Sequence, residues 1–273
     1  MTSNPLPLPA PGVLAPGSRF GEYTIGACIG EGGMARVYAA ELTGLKRPVA
    51  LKVLIDGQNS EHSAHERFLR EACIAAAIKH PNVVNIFDVG VHQGTPYLVM
   101  DLLEGIDLEG FVRERGRLDE TTLIDIMVPI TAGLAAVHDA GVVHRDLKPS
   151  NIFLVRGRDG EVEPRLLDFG ISKSLDADAL KLTAAHGLLL GTPFYMAPEG
   201  VHGSEMTPLS DQYSLGVVLY ECATGVNPFA DASDLADVVK RVGLGEWAPV
   251  ASRNPGVSPR LAAVIERAMQ LDP

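Results

Sequence analysis

The sequence predicts an α+β protein with two unlike parts: a small, mostly β part carrying one main helix, then a larger and mostly helical part. Three observations predict it. Residues 23–101 hold short β-branched or apolar runs separated by turn residues. Within them one run, 63–78, repeats its apolar residues Phe68, Leu69, Ala72, Ala75, Ala76 and Ile78 at helical spacing. After Gly105 the pattern turns helical, and several runs are entered through Ser, Thr or Asp, whose side chains cap the first N–H groups of a helix.

The elements follow in order. Residues 1–17 carry Pro5, Pro7, Pro9, Pro11 and Pro16, which suit neither a regular helix nor a central strand, so an extended tail is expected, as a plain linker or a ligand for a proline-binding domain. Strands are expected at 23–29, 37–42, 48–54, 84–91 and 97–100. Helices are expected at 63–78, 107–115, 121–140, 210–225, 233–242 and 258–271, with a first lobe at about 18–103 and a second at about 104–273. Pro129 falls inside the 121–140 helix, where it should free a carbonyl and bend the axis. The one long loop expected is 170–197.

Composition bounds the function. A chain of 273 residues, 46% hydrophobic, can bury one large core or two lobes, and its formal charge of −11 argues against a general nucleic-acid surface, which needs a basic footprint. Cys28, Cys73 and Cys222 are odd in number and in no metal-ligand spacing, which suits a reducing compartment and buried structural roles. A proline-rich start without a basic region, and the lack of a run of about 18 apolar residues, argue against a leader and a spanning helix. The expectation is a cytoplasmic chain without membrane contact, with the cytosolic domain of a longer, membrane-anchored protein as the other placement.

Chemistry concentrates in a few motifs. His144-Arg145-Asp146-Leu147-Lys148-Pro149-Ser150-Asn151 puts a carboxylate, an ammonium and an amide on one tight loop, and Asp168-Phe169-Gly170 adds a second carboxylate one hairpin later. That set suits holding magnesium and a triphosphate beside a hydroxyl. Gly30-Glu31-Gly32-Gly33-Met34-Ala35-Arg36-Val37 lies between two expected strands, where glycines let backbone N–H groups approach phosphate oxygens; taken alone it is equally an ordinary hairpin turn. Lys52, in the apolar run Val49-Ala50-Leu51-Lys52, needs an anion if buried, either Glu71 on the following helix or phosphates, and needs none if it points to solvent from an edge strand.

Together with Ala197-Pro198-Glu199, these motifs occur in the order and spacing of eukaryotic-type protein kinases, and the chain resembles the bacterial serine/threonine members of that family over about 19–273. The resemblance implies a bilobal protein-kinase-like fold with an antiparallel small lobe, and a serine/threonine protein kinase acting on protein hydroxyls with ATP and Mg2+, or Mn2+. It implies that Lys52, paired with Glu71, binds the α- and β-phosphates, that Asp146 orients the acceptor hydroxyl and takes its proton, and that Lys148 steadies the γ-phosphate. Asn151 and Asp168 would hold the metal. Backbone groups of Gly30, Gly32 and Gly33 would reach phosphate, Phe169 would pack beneath the Glu71 helix, and Gly170 would let the backbone turn. Adenine would lie at the connector Met100-Asp101-Leu102-Leu103, bonded to the Asp101 carbonyl and the Leu103 N–H. Ile29, Val37, Ala50 and Leu154 would sandwich it, though such residues equally read as core.

Regulation and departures follow from the same resemblance. Arg145 would grip a phosphate on the activation loop, with Ser172, Ser174, Thr183 and Thr192 as available hydroxyls, Thr183 foremost, and Thr192 placed near Asp146. Leu188-Leu189-Leu190 offers no hydroxyl where many relatives carry one. Ala35 replaces the third glycine, and residues 156–164 lengthen a hairpin as a polar surface excursion. The sequence stops before the arginine that would pair with Glu199, so a fragment is expected. The rival readings are a silent pseudokinase serving as scaffold or nucleotide-sensing switch, and a small-molecule phosphotransferase. The intact Lys52, Glu71, Asp146, Asn151 and Asp168 oppose the first and Ala197-Pro198-Glu199 the second. A homodimer is left open.

Overall fold

A computed structural model describes residues 13–32, 35–55, 62–157, 161–168 and 193–272. The chain divides into two compact units, Met1–Ala77 with Asn85–Leu103 and Ile78–Val84 with Glu104–Pro273.

The first unit is an antiparallel sheet of six strands in the order β1-β2-β3-β4-β6-β5, with one helix. The strands are β1 (Arg19–Phe20), β2 (Tyr23–Glu31), β3 (Ala35–Leu42), β4 (Arg47–Leu54), β5 (Ile86–His92) and β6 (Thr95–Met100), and the helix is α1 (His62–Ala77). Side chains alternate across a strand, and cross-strand partners share a face. Tyr38, Leu51 and Val99 are aligned partners on one face, and there, with Phe20, Tyr23, Ile25, Val49 and Val53, they make the unit's core. Val37, Ala50, Lys52, Leu98 and Met100 take the opposite face by the same register. On α1 the helical spacing is fulfilled by Phe68, Ala72 and Ala75, all buried, while Leu69 and Ala76 are only half-buried.

Two expectations about this unit are corrected. The tail does not stay clear of the fold up to Gly17: the Leu14 N–H donates to the Tyr38 hydroxyl at 3.1 Å, Leu14 packs on the core, and the Gly17 N–H donates to the Ile25 carbonyl at 2.7 Å. Residues 1–12 lie outside the described part. The strand expected at 84–91 starts at Ile86, because Val83 and Val84 are buried in the other unit, where the Val84 N–H donates to the Leu166 carbonyl at 3.0 Å. Apolar periodicity registers burial without saying in which core.

The second unit opens with the short strand β7 (Gly105–Asp107), which pairs with the hairpin β8 (Ile152–Arg156) and β9 (Val162–Leu166). Both hairpin strands run on through Arg156 and Val162, inside the expected polar excursion, and the Gly157 N–H donates to the Glu161 carbonyl at 2.8 Å. The helices are α2 (Leu108–Arg115), α3 (Glu120–Asp139), α4 (Pro198–Val201), α5 (Pro208–Thr224), α6 (Leu235–Leu244), α7 (Val250–Arg253) and α8 (Pro259–Ala268). Asp107, Asp119, Asp234 and Ser258 each cap a helix by accepting a backbone N–H.

α3 is long and apolar enough to cross a membrane by length and composition, contrary to expectation, but Leu123, Ile126, Met127, Ile130 and Leu134 belong to the unit's core and Val137 is buried as well. It passes through Pro129 unbroken, and the carbonyl the proline frees, four residues back at Asp125, belongs to an exposed residue that water can reach. Gly133 on its buried face is required by close approach: a Cβ there would stand 2.9 Å from the Asn82 carbonyl oxygen.

α5 is the axle of this unit, with eleven buried residues from Ser210 to Ala223. It starts in a reciprocal cap: Thr207 accepts from the helix backbone, and the Ser210 hydroxyl accepts the Thr207 N–H at 2.9 Å. It ends at Gly225, whose φ of 79° is costly for any residue with a Cβ.

Candidate active site

The loop from His144 to Asn151 is braced from behind by a buried carboxylate. Asp211, in the first turn of α5 and fully buried, accepts the His144 N–H at 2.7 Å through Oδ2 and the Arg145 N–H at 2.8 Å through Oδ1. His138 of α3 places Nε2 2.7 Å from the same Oδ2. These bonds hold Arg145 at φ 62°, a left-handed conformation uncommon for a residue with a side chain.

His144 is sealed into the loop. Its Nε2 lies 3.0 Å from the Leu167 carbonyl and its Nδ1 accepts the Asp146 N–H at 3.3 Å. One ring nitrogen must donate and the other accept, which is the neutral imidazole. Burial agrees, since it pushes the His144 pKa down, outweighing the carboxylates of Asp211, Asp146 and Asp168 nearby.

Beyond this brace the chemical groups converge. The Asp146 carboxylate meets the Lys148 ammonium at 3.0 Å, and Asn151 donates its amide N–H to the Asp146 carbonyl at 2.7 Å and to Oδ2 at 3.2 Å. Both members of the Asp146–Lys148 pair stay about a quarter exposed, so the pair is open to a ligand. Asn151 sits in a short 3-10 turn, Pro149–Asn151, and its carbonyl accepts the Leu167 N–H at 2.8 Å, which ties Asp168 to the loop. Asp168 itself has φ 49°, a second strained non-glycine conformation.

The Asn151 amide, with its nitrogen committed to Asp146, has its oxygen to offer. With the Asp168 carboxylate it makes a set of hard oxygen donors, which fits a divalent ion whose remaining ligands come from phosphate and water. Among the described residues no cluster of three or more His, Cys, Asp or Glu forms a self-sufficient cation cage.

In the first unit Lys52 is 8% exposed on an interior strand, which removes the edge-strand reading. Its cross-strand partners are Val37 and Leu98, and Val37 in turn aligns with Gly30. Ala50 aligns with Met100, so Val37, Ala50, Lys52 and Met100 share one sheet face. Glu71 is half-buried on α1 in the same unit. Ile29 is 52% exposed at the mouth of the hairpin, and Asp101 and Leu103 are half-buried just after β6. Leu154 is buried within the second unit's core.

Gly30 and Gly32 are not demanded by packing among the described residues. A Cβ on Gly30 would meet only the Val37 side chain at 3.6 Å, and one on Gly32 the Ala35 carbonyl at 3.8 Å, both ordinary contacts. Room left without internal need suits the approach of a ligand. Gly33, Met34, Phe169, Gly170, Ser172, Ser174, Thr183, Thr192 and the leucines 188–190 lie outside the described residues.

Several participants escaped the sequence reading. Asp211 and His138 form the brace, and the one available signal was an acidic residue within the apolar run of α5. Glu199, expected to await an arginine, accepts a hydrogen bond from the Ser210 hydroxyl. The Tyr195 hydroxyl donates to Glu221 at 2.6 Å beneath a hollow that begins at Lys148.

Residues 23–273 match the family described as "Protein kinase domain". The serine/threonine-protein kinase pkn3 of Myxococcus xanthus is 37% identical over 257 residues, covering 92% of this chain and 47% of that protein. PrkC of Bacillus subtilis, also named a serine/threonine-protein kinase, is 36% identical over 254 residues, covering 93% of this chain and 38% of that protein. The chain thus spans less than half the length of either relative. Among solved structures, the kinase domain of Mycobacterium tuberculosis PknI superposes with a TM-score of 0.74 at 27% identity, over 95% of this chain and 92% of that one.

Proposed function

The chain belongs to the protein kinase family, and from that premise we propose that it is an active serine/threonine kinase, moving the γ-phosphate of Mg-ATP to a hydroxyl of a protein. One observation carries the reading: a carboxylate held within 3.0 Å of an ammonium, on a loop locked in a strained shape by a buried aspartate. That is what phosphoryl transfer asks of a protein, since the reaction needs positioning and charge stabilisation more than covalent help.

Asp146 accepts the proton of the acceptor hydroxyl and aims its oxygen. Lys148, at contact distance from Asp146, holds charge where it gathers on the transferred group. Lys52 binds the non-transferred phosphates, and the backbone of the Gly30–Gly32 turn lies against them. Asn151 and Asp168 hold the magnesium ion, which when bound neutralises phosphate charge. Ile29, Val37, Ala50, Met100 and Leu154 supply apolar surface for the base, with the Asp101 carbonyl and Leu103 N–H as its hydrogen-bonding edge.

Arg145 serves as a receiver for a phosphate on Thr183, with Thr192 placed near Asp146, and a cytosolic placement is in keeping with three unpaired thiols. Phosphate transfer from labelled ATP to the chain itself and to a generic basic protein tests the reading. Asp146→Asn should lower the rate about 10²–10⁴-fold. Nucleotide binding without transfer at any divalent ion concentration would instead make the chain a silent switch.

A further inference from the structure

Where β6 ends at Met100 the chain leaves the sheet, and residues 101–104 belong to no helix or strand. This stretch offers the base its hydrogen-bonding edge, so its backbone must be held by something other than a regular ladder. Asn85, the residue before β5, holds it twice. Its carbonyl accepts the Asp101 N–H at 3.1 Å, and its side-chain amide donates to Oδ2 of Asp101 at 2.9 Å. The first bond carries the antiparallel pairing one step past Ile86 and Met100. The second is charge-assisted, because its acceptor is a carboxylate. Both residues are half-buried and lie in the same unit. Two positions on, the Leu103 N–H has no acceptor among the described residues.

We propose that Asn85 is a positioning residue for purine selection: by gripping Asp101 at its N–H and at its carboxylate, it fixes the direction of the Asp101 carbonyl. The assignment rests on the kinase reading above and deepens it to the choice of nucleotide. Adenine offers an amino group to that carbonyl, and the bond is made. Guanine puts a carbonyl oxygen at the same place, so two acceptors face each other and both lose a partner. A fixed carbonyl makes that mismatch costly. Freed of the Asn85 amide, the residue can turn its carbonyl aside, which weakens the bond to adenine and relieves the clash with guanine. Asn85 touches neither base, so its effect runs through Asp101.

The test sets ATP against GTP as donor in phosphate transfer to a generic basic protein, with calorimetry of both nucleotides alongside. Asn85→Ala keeps the backbone bond and removes the side-chain one. It should raise KM for ATP about three- to tenfold, leave kcat at saturating ATP within about twofold, and lower the ATP-to-GTP ratio of kcat/KM by a similar factor. Asn85→Asp sets two carboxylates face to face and should lose more. The exchange Asn85→Asp with Asp101→Asn rebuilds the bond with donor and acceptor reversed. It should recover most of the ATP-to-GTP ratio, a rescue that a loss of stability alone does not produce. An unchanged ratio in Asn85→Ala, a loss carried in kcat alone, or no recovery in the exchange would overturn the assignment and leave the kinase reading standing. If the native chain binds ATP but transfers no phosphate, the kinase reading fails and the ratio of the two dissociation constants decides on Asn85. Binding of neither nucleotide would sink both.

Discussion

Asp211→Asn is the sharpest probe of how the catalytic loop is held. The native carboxylate uses one oxygen for the Arg145 N–H, at 2.8 Å, and the other for the His144 N–H and the His138 ring, both at 2.7 Å. An asparagine has one oxygen and one NH₂ group. If its oxygen stays on Arg145, the NH₂ faces the His144 N–H; if it turns, the NH₂ faces the Arg145 N–H. His138 can change tautomer to suit either, but one buried backbone donor is orphaned in both. That costs about 1–3 kcal/mol, and replacing a charged acceptor by a neutral one at the other donor adds about 1 kcal/mol. The sum, roughly 2–4 kcal/mol, corresponds to a melting temperature lower by roughly 4–16 °C in a chain of this size. Activity should fall as well, because Arg145 at φ 62° loses its restraint and Asp146 is the next residue. Urea unfolding and phosphate transfer at saturating ATP give the two readouts. A loss under about 1 kcal/mol with unaltered turnover would refute the idea that Asp211 fixes the loop.

Three other expectations follow. Thr207→Ala removes half of the reciprocal cap at the start of α5 and should cost about 1 kcal/mol in urea unfolding, with Thr207→Ser recovering most of it. Alkylation of the native protein near pH 8 should modify Cys28 and Cys73, which are exposed, and spare Cys222, whose thiol burial pushes well above its ordinary range; three modified thiols without denaturant would contradict the packing. Asp119, hydrogen-bonded by Thr122, has its carboxyl held below the usual carboxylate range, so its unfolded form binds a proton more readily than its folded form. The stability it gives is present above the unfolded pKa and is lost as pH falls through the folded one, so Asp119→Asn should flatten the acid side of the stability curve and leave the neutral side's slope alone.

The residues that carry motifs were legible because their chemistry demands particular side chains at short spacing: Asp146, Lys148 and Asn151 are within six positions and do converge. β3 and β4 were legible as short apolar or β-branched runs between turn residues, and β4 is buried on both faces from Val49 to Leu54, so it carries no alternation. What escaped was long-range. Asp211 lies 66 positions from Arg145, and an acid in a helix ordinarily signals a solvated face. Glu221 likewise follows the rhythm of a surface residue but is claimed by Tyr195, 26 positions earlier. The strand β7 has three residues, and its existence depends on pairing with β8 rather than on local propensity.

Residues 78–84 belong to the helical unit although a further segment of the sheet unit, Asn85–Leu103, follows them in the chain. The Asn82 carbonyl takes the Leu166 N–H at 2.8 Å, its side chain reaches the Pro164 carbonyl at 2.9 Å, and its backbone fills the notch that Gly133 leaves open. A recombinant piece beginning at Glu104 would therefore lack a plug supplied from upstream. Anyone wishing to express the helical half by itself should expect poor yield unless a peptide spanning 78–84 is added in trans or stitched on by circular permutation.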